Sequence, residues 1–168
     1  YVDKFVITEA TYMHSGEPKK LVFDINKFQK FKDKIIYIVV DKQPSDLYKI
    51  YDSDSDEEDT RGQKLVLNGY KRDNYQREMA QEAIKKINPE DWIIINDIDE
   101  IPNLEKINFK SINQKLIFFE QKMFYYKLNL LYESFPWFGS KACKKKFFIT
   151  PEWLRSIKNK KYPIWRLD

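Results

Sequence analysis

The sequence predicts an α/β fold in one domain, with a mostly parallel sheet flanked by helices. Three observations predict it. Short β-branched and aromatic runs occur at residues 3–10, 34–41 and 92–96. Segments of helical period lie between them, at 24–34 and 72–91, and strands that alternate with helices favour a parallel sheet. The length of 168 residues suits a single domain, and a chain of that size buries about 70 % of its unfolded surface.

The elements follow in order. "DKFVITEA" (3–10) reads as a buried strand, and "HSGEPKK" (14–20) supplies Gly and Pro for a turn. "DINKFQKFKDK" (24–34) places Ile25, Phe28 and Phe31 near helical spacing, with Asp24 as cap. "KIIYIVVD" (34–41) is a second buried strand. Residues 42–69 read as a loop that holds an acidic surface stretch at 52–63. Asp52, Asp54 and Asp56 imitate the start of a calcium loop, but Glu57 stands where Gly is needed and Gln63 where Glu is needed. That stretch is therefore expected to be a solvated insertion.

"RDNYQREMAQEAIKKINPED" (72–91) is the clearest helix. Asp73 and Gln76 have capping-box spacing, and Tyr75, Met79, Ala83, Ile84 and Ile87 form one apolar stripe. Pro89 ends it, and residues 92–96 form the third strand. "KLIFFEQKMFYYKLNLL" (115–131) reads as one long strand or two consecutive ones, with Phe118, Phe119, Phe124, Tyr125 and Tyr126 as core. Lys144, Lys145 and Lys146 read as a solvated turn. A last helix starts at Pro151 with Thr150 as its cap.

Composition narrows the chemistry. No run of about 18 apolar residues is present, so no membrane-crossing segment is expected. No signal peptide is visible, and the start at Tyr1 reads as an excerpt from a longer protein. One cysteine, Cys143, excludes an intrachain disulfide. With His14 as the only histidine, a usual zinc site of about four N/S ligands is out of reach. A metal would rest on carboxylates, which favours Mg²⁺ or Mn²⁺. The net charge of +4 conceals six acids at 52–59; the rest of the chain holds 30 basic against 20 acidic residues. Such an excess suits phosphorylated ligands or other polyanions.

One stretch points to chemistry. In "EDWIIINDIDEIPNLE" (90–105) an apolar run ends in Asp97, Asp99 and Glu100. Ligands of open α/β sheets bind beyond the carboxyl ends of strands. Residues two apart on a strand face the same way, so Asp97 and Asp99 could share one cation. Two carboxylates leave the rest of the shell to water and substrate phosphates. A polar turn ended by Pro102 would explain the same letters. Two enzyme classes use D-x-D after a strand: nucleotide-sugar glycosyltransferases, and phosphohydrolases with Asp97 as nucleophile and Asp99 as acid/base. Ile101 and the late position in the chain fit the second less well. A basic, aromatic nucleic-acid module is a third reading, weakened by the lack of an aromatic-basic RNA motif.

Five segments in register carry a resemblance: "VDKFVITEATYMHSGEPKKLVF", "KIIYIVVD", "NYQREMAQEAI", "WIIINDIDEIPNLEKI" and "FFEQKMFYYKLNLLYESFPWFGSK". Together they resemble glycosyltransferase family 17, that of β-1,4-mannosyl-glycoprotein β-1,4-N-acetylglucosaminyltransferase with bacterial and viral relatives. The resemblance implies a GT-A fold, a Rossmann-like nucleotide-diphosphosugar sheet, over residues 1–168. It implies an inverting, metal-dependent transfer, with N-acetylglucosamine expected to move from a UDP-sugar to a glycan hydroxyl. Asp97 and Asp99 match the D-x-D that meets Mn²⁺ or Mg²⁺ and the donor diphosphate. Glu9, Thr11, His14, Gln76, Arg77 and Asn96 join Asp97 on the donor side. Trp137, Gly139 and Lys141 match "WxGSK" on the acceptor side, with Trp137 in a loop suited to sugar stacking. The general base is open between Glu100, Glu120 and Glu133. Family members extend beyond both ends of this chain, so the fragment alone is expected to lack parts of the site. No nucleic-acid partner is expected. The location implied is cytoplasmic for a bacterial or viral member, which usage favours, and the Golgi lumen for a eukaryotic one.

Overall fold

The computed structural model describes residues 2–51, 60–127 and 129–158. The acidic run at 52–59 lies outside them. The chain divides into two compact units, Val2–Lys86 and a second that runs on from Ile87. The fold is mixed α/β, but the described strands form three small sheets, of which only one is parallel. The expectation of a mostly parallel sheet is corrected here. β1 and β2 pair in parallel across the crossover of residues 11–34, β5 and β6 are antiparallel neighbours in sequence, and β7 returns after them to lie antiparallel between β3 and β4.

In the first unit β1 (Phe5–Ala10) and β2 (Ile35–Val40) pair in parallel from Phe5↔Ile35 to Ala10↔Val40. The connection between them holds 3-10 turns over Ile25–Lys34, capped by Asp24 and interrupted at Phe28 (φ −120°, ψ 36°). The regular helix expected there does not form. Phe28 instead stacks on Phe23 at 5.4 Å between ring centroids, a contact that rewards the break. Helix α1 (Thr60–Glu78) starts twelve residues before the expected Arg72. Residues 60–63 are therefore helical, not part of a surface loop. Asp73 and Gln76 sit inside the helix and form no capping box. A break at Met79 and Ala80 leads to the short α2 (Gln81–Ile84). The core joins Ala10, Tyr12 and Val40 to Tyr75 and Met79 of the helical stripe.

In the second unit β3 (Trp92–Ile95), β4 (Leu116–Phe118) and β7 (Lys141–Lys144) form an antiparallel sheet in the order β3-β7-β4. β7 is its central and most buried strand, with Ala142 and Cys143 at 0 % exposure. Burial raises the Cys143 thiol to about 11, so it packs as a small apolar group. β5 (Gln121–Phe124) and β6 (Leu131–Trp137) make a separate antiparallel pair with a register shift between Gln121 and Met123. The 115–131 run is thus two short strands in different sheets. Phe119 is core, while Phe124, Tyr125 and Tyr126 are exposed. Helix α3 (Pro151–Ser156) begins as expected: Thr150 Oγ1 accepts from the Trp153 amide at 3.1 Å, with Pro151 in the first turn. It packs on β7 and β3 and buries Pro151 and Leu154 completely. Lys144 and Lys146 do not lie in a free turn, since both pair with Glu90 at 2.9 and 2.5 Å.

Candidate functional site

In the first unit, the donor-side residues of the sequence gather around β1, but as structural ties. Glu9 has both carboxylate oxygens engaged. They accept from the Val22 amide (2.7 Å), the Phe23 amide (3.0 Å), Lys19 Nζ (3.0 Å) and Tyr37 Oη (2.7 Å). Burial raises the pKa of Glu9, but these hydrogen bonds outweigh it and hold the group at about 2. Burial, together with the hydrogen bond to Glu9, pushes Tyr37 up to about 12. Glu9 therefore fixes the chain after the turn and has no oxygen left over for a ligand. Its stabilisation is full above pH 4.5, the group's ordinary value, and fades as pH falls from there through about 2. Glu9→Gln is expected to remove on the order of 2 kcal/mol at pH 7 and to flatten the acid limb of stability between those limits. Urea unfolding at a series of pH values checks this.

The turn itself is tightly built. The Gly16 amide donates to the Met13 carbonyl (2.9 Å), Met13 to Glu17 (2.8 Å) and Lys19 to Thr11 (2.8 Å). Thr11 in turn donates to the Val40 carbonyl at 3.0 Å, which fastens the loop to the end of β2. His14 and Ser15 are exposed at the tip. Gly16 has φ +93°, and a Cβ there would stand 2.5 Å from Arg72 Nη2. Both the left-handed backbone and the space require glycine. Gly16→Ala is expected to cost about 2 kcal/mol or more, read as a shift in the urea midpoint.

Gln76 clasps β1: its Oε1 accepts from the Ala10 amide (3.1 Å) and its Nε2 donates to the Thr8 carbonyl (3.3 Å). Arg77 stands in the last turn of α1, not at a helix start, because the helix begins at Thr60. A cation is favoured at that end, and Arg77 pairs with Asp73 one turn back at 2.9 Å. The idea that it reaches a phosphate from a helix N-terminus is corrected.

In the second unit, β3 stops at Ile95 and residues 97–100 form a turn, closed by the Glu100 amide on the Asp97 carbonyl at 3.0 Å. Strand alternation does not extend to Asp97 and Asp99, which corrects the premise that they share a strand face. Asn96 braces the turn, donating to the carbonyls of Asp97 (3.0 Å) and Glu100 (3.1 Å). Asp99 is exposed, and the Asp97 side chain is 44 % exposed.

Glu100 points inward and is 7 % exposed. Its Oε1 accepts from Trp137 Nε1 (2.7 Å) and Arg155 Nη2 (3.0 Å), and its Oε2 from the Asp97 amide (3.0 Å). Arg155 also meets Asp97 Oδ2 at 2.6 Å and donates from Nη1 to the Gly139 carbonyl at 3.2 Å. One guanidinium thus joins the 97–100 turn to β7's entry. The sequence offered only a helix there and missed Arg155; its two carboxylate partners lie 55 and 58 residues away.

Gly139 is needed for space: a Cβ would fall 1.6 Å from Glu100 Oε1 and 2.3 Å from Trp137 Nε1. Trp137 ends strand β6 and spends its indole N–H on Glu100, so it is not in a free loop. Lys141 is 4 % exposed and donates to the Arg155 carbonyl. Burial, with Arg155 and Lys158 adding repulsion, pulls its ammonium down to about 8, against the opposing pull of Glu100 and Asp97. Of the candidate bases, Glu100 is buried and hydrogen-bonded, while Glu120 and Glu133 are exposed.

Asp97 and Asp99 offer carboxylate oxygens from one turn, and no group of three or more His, Cys, Asp or Glu suited to a metal occurs among the described residues. Two carboxylates are the chemistry a hard cation such as Mg²⁺ or Mn²⁺ takes, and they would leave most of its shell to water and ligand phosphates. Arg155 pairs with Asp97, which leaves Asp99 the more open carboxylate of the two.

Among the described residues no helix is long and apolar enough to cross a membrane. No curated protein and no solved structure matches the chain. The model of glycosyltransferase family 17 matches residues 1–148 and so includes the 97–100 turn, Trp137, Gly139 and Lys141, while Arg155 lies beyond the match. The chain belongs to glycosyltransferase family 17 and is a glycosyltransferase, an enzyme that takes a sugar from a donor to a glycan acceptor.

Proposed function

We propose that the chain transfers N-acetylglucosamine from its UDP-sugar to a glycan hydroxyl, with inversion, and that the 97–100 turn holds the donor diphosphate through Mn²⁺ or Mg²⁺. The observation that carries this reading is the turn itself: Asp99 open to solvent, beside an Asp97 oriented by Arg155, Asn96 and the buried Glu100. A bound divalent cation would neutralise charge on the departing diphosphate.

The chain's own residues set the geometry. Glu100 receives the Asp97 amide and the Trp137 indole and so fixes the turn against β6. Arg155 holds Asp97 in one orientation. Glu120 and Glu133 remain the candidates for the base that takes the acceptor's proton. Glu133 lies in the irregular part of β6, between Tyr132 and Trp137, and bulges re-aim side chains near sites of chemistry. The exposed Tyr125 and Tyr132, edge to face at 5.5 Å, offer aromatic faces of the kind a glycan acceptor stacks on. A GT-A arrangement is part of the same proposal, supported by the family and by the parallel β1–β2 unit.

The test is a panel of UDP-sugars and N-glycan fragments, each with Mn²⁺, Mg²⁺ or a chelator, read by mass spectrometry, with the product anomer read by NMR. Transfer of N-acetylglucosamine as the β-linked product, lost on chelation, is expected. Transfer of a different sugar, retention of configuration or indifference to the chelator would each overturn the corresponding part.

A further inference from the structure

Arg72 is a buried cation that no described carboxylate pairs with. The residue is 9 % exposed. Its Nε donates to Gln43 Oε1 at 2.7 Å and its Nη1 to the His14 carbonyl at 2.8 Å. Both acceptors are neutral. Arg77 and Arg155, whose side chains are each 16 % exposed, both have carboxylate partners. Arg72 has none among the described residues. A guanidinium keeps its charge, and burying a charge without a counter-charge is costly.

The third nitrogen, Nη2, lies against Gly16, where a Cβ would come within 2.5 Å. It makes no hydrogen bond to a described residue. Among the described residues, the buried side-chain polar atoms without a partner are Gln81 Oε1 and Ser140 Oγ. Nη2 is not among them, so its protons meet solvent. The surroundings are built to keep it there. Gln43 bridges the guanidinium and the Gly16 carbonyl, to which its Nε2 donates at 3.1 Å. Gly69 of α1 faces the same turn: a Cβ on it would make ordinary contact, 3.7 Å from both the His14 Cβ and the His14 carbonyl oxygen. Next to Gly16, Ser15 Oγ accepts from the Glu17 amide at 3.4 Å, which leaves its own proton free to donate.

We propose that Arg72 Nη2 and the 13–16 turn form a binding site for a phosphate-class oxyanion. A charged N–H donor held in place by its two other bonds suits such an anion, and the anion supplies a counter-charge that none of the described residues gives. The oxyanion could be borne by a nucleotide or be free in solution; the two share this chemistry and separate in the test.

Hydrogen exchange of the full chain is measured with inorganic pyrophosphate, with UDP and with uridine, and affinities are taken by titration on wild type, Arg72→Lys and Arg72→Gln. Pyrophosphate is expected to slow exchange in the peptide covering 13–17 of the unaltered protein. Arg72→Gln is expected to weaken pyrophosphate by about tenfold or more, with Arg72→Lys between the two. UDP exceeding both uridine and pyrophosphate, in an Arg72-dependent way, identifies a nucleotide as the source. UDP no tighter than pyrophosphate identifies a free anion. Unchanged exchange at 13–17 with pyrophosphate and UDP overturns the proposal without any variant. Equal affinities in wild type and Arg72→Gln overturn it as well.

Discussion

Gly139→Ala is expected to destabilise the protein by about 3 kcal/mol or more and to abolish transfer. The new methyl group would stand 1.6 Å from Glu100 Oε1, so either the β6–β7 connection or the Glu100 carboxylate must move. If Glu100 moves, Trp137 Nε1 and one bond of Arg155 lose their acceptor. Removing one partner of a buried, hydrogen-bonded charge pair costs about 3–5 kcal/mol, and overpacking alone costs about 1–3 kcal/mol. Because Arg155 keeps Asp97, the lower end applies. The adjacent Ser140 supplies the control. Its hydroxyl is fully buried with no partner among the described residues, so Ser140→Ala should change stability by no more than about 0.5 kcal/mol or raise it. Urea midpoints of the two variants, one residue apart, decide whether the glycine is required for space. Equal midpoints would contradict the packing described for Glu100.

Asp97→Asn is expected to leave the fold nearly intact and to lower transfer by about 10²–10³-fold, the loss typical of removing one group that stabilises developing charge. The Asp97 side chain is 44 % exposed, so its ion pair with Arg155 is partly screened and contributes about 1 kcal/mol or less. Arg155 retains Glu100 at 3.0 Å and the Gly139 carbonyl at 3.2 Å, which keeps α3 and the turn joined. The loss should appear in kcat and in donor affinity together, with urea stability almost unchanged. An unaltered transfer rate would remove Asp97 from the site.

Legibility in the sequence followed the kind of signal each element carries. β1, β2 and β3 are apolar runs bounded by polar residues, and their bounds came within one or two residues of those observed. The start of α3 was legible because Thr150 and Pro151 are local cap chemistry. The first three turns of α1 were not: "TRGQKLVLNG" contains two glycines and its Leu65, Val66 and Leu67 are exposed, so no apolar stripe marks the helix. β7 was invisible because "KACK" has neither alternation nor β-branched residues; its burial comes from flanking strands and α3. Of the candidate site, the 97–100 turn was legible as an abrupt change from apolar to acidic. The inward turn of Glu100, the clamp by Arg155 and the engagement of Glu9 by four donors depend on groups distant in sequence, which spacing does not encode.

The proposed metal and donor site rests most directly on Asp99. It is exposed on the turn, and nothing in the described structure depends on it, so Asp99→Asn should shift stability by no more than about 0.5 kcal/mol. The decisive measurement is calorimetric titration of UDP into wild type and Asp99→Asn, each with Mn²⁺ and with chelator. Binding that needs Mn²⁺ in the wild type and vanishes in the stable variant is the expected result. Binding that ignores Mn²⁺, or that survives unchanged in Asp99→Asn, would contradict a carboxylate-held metal at this turn.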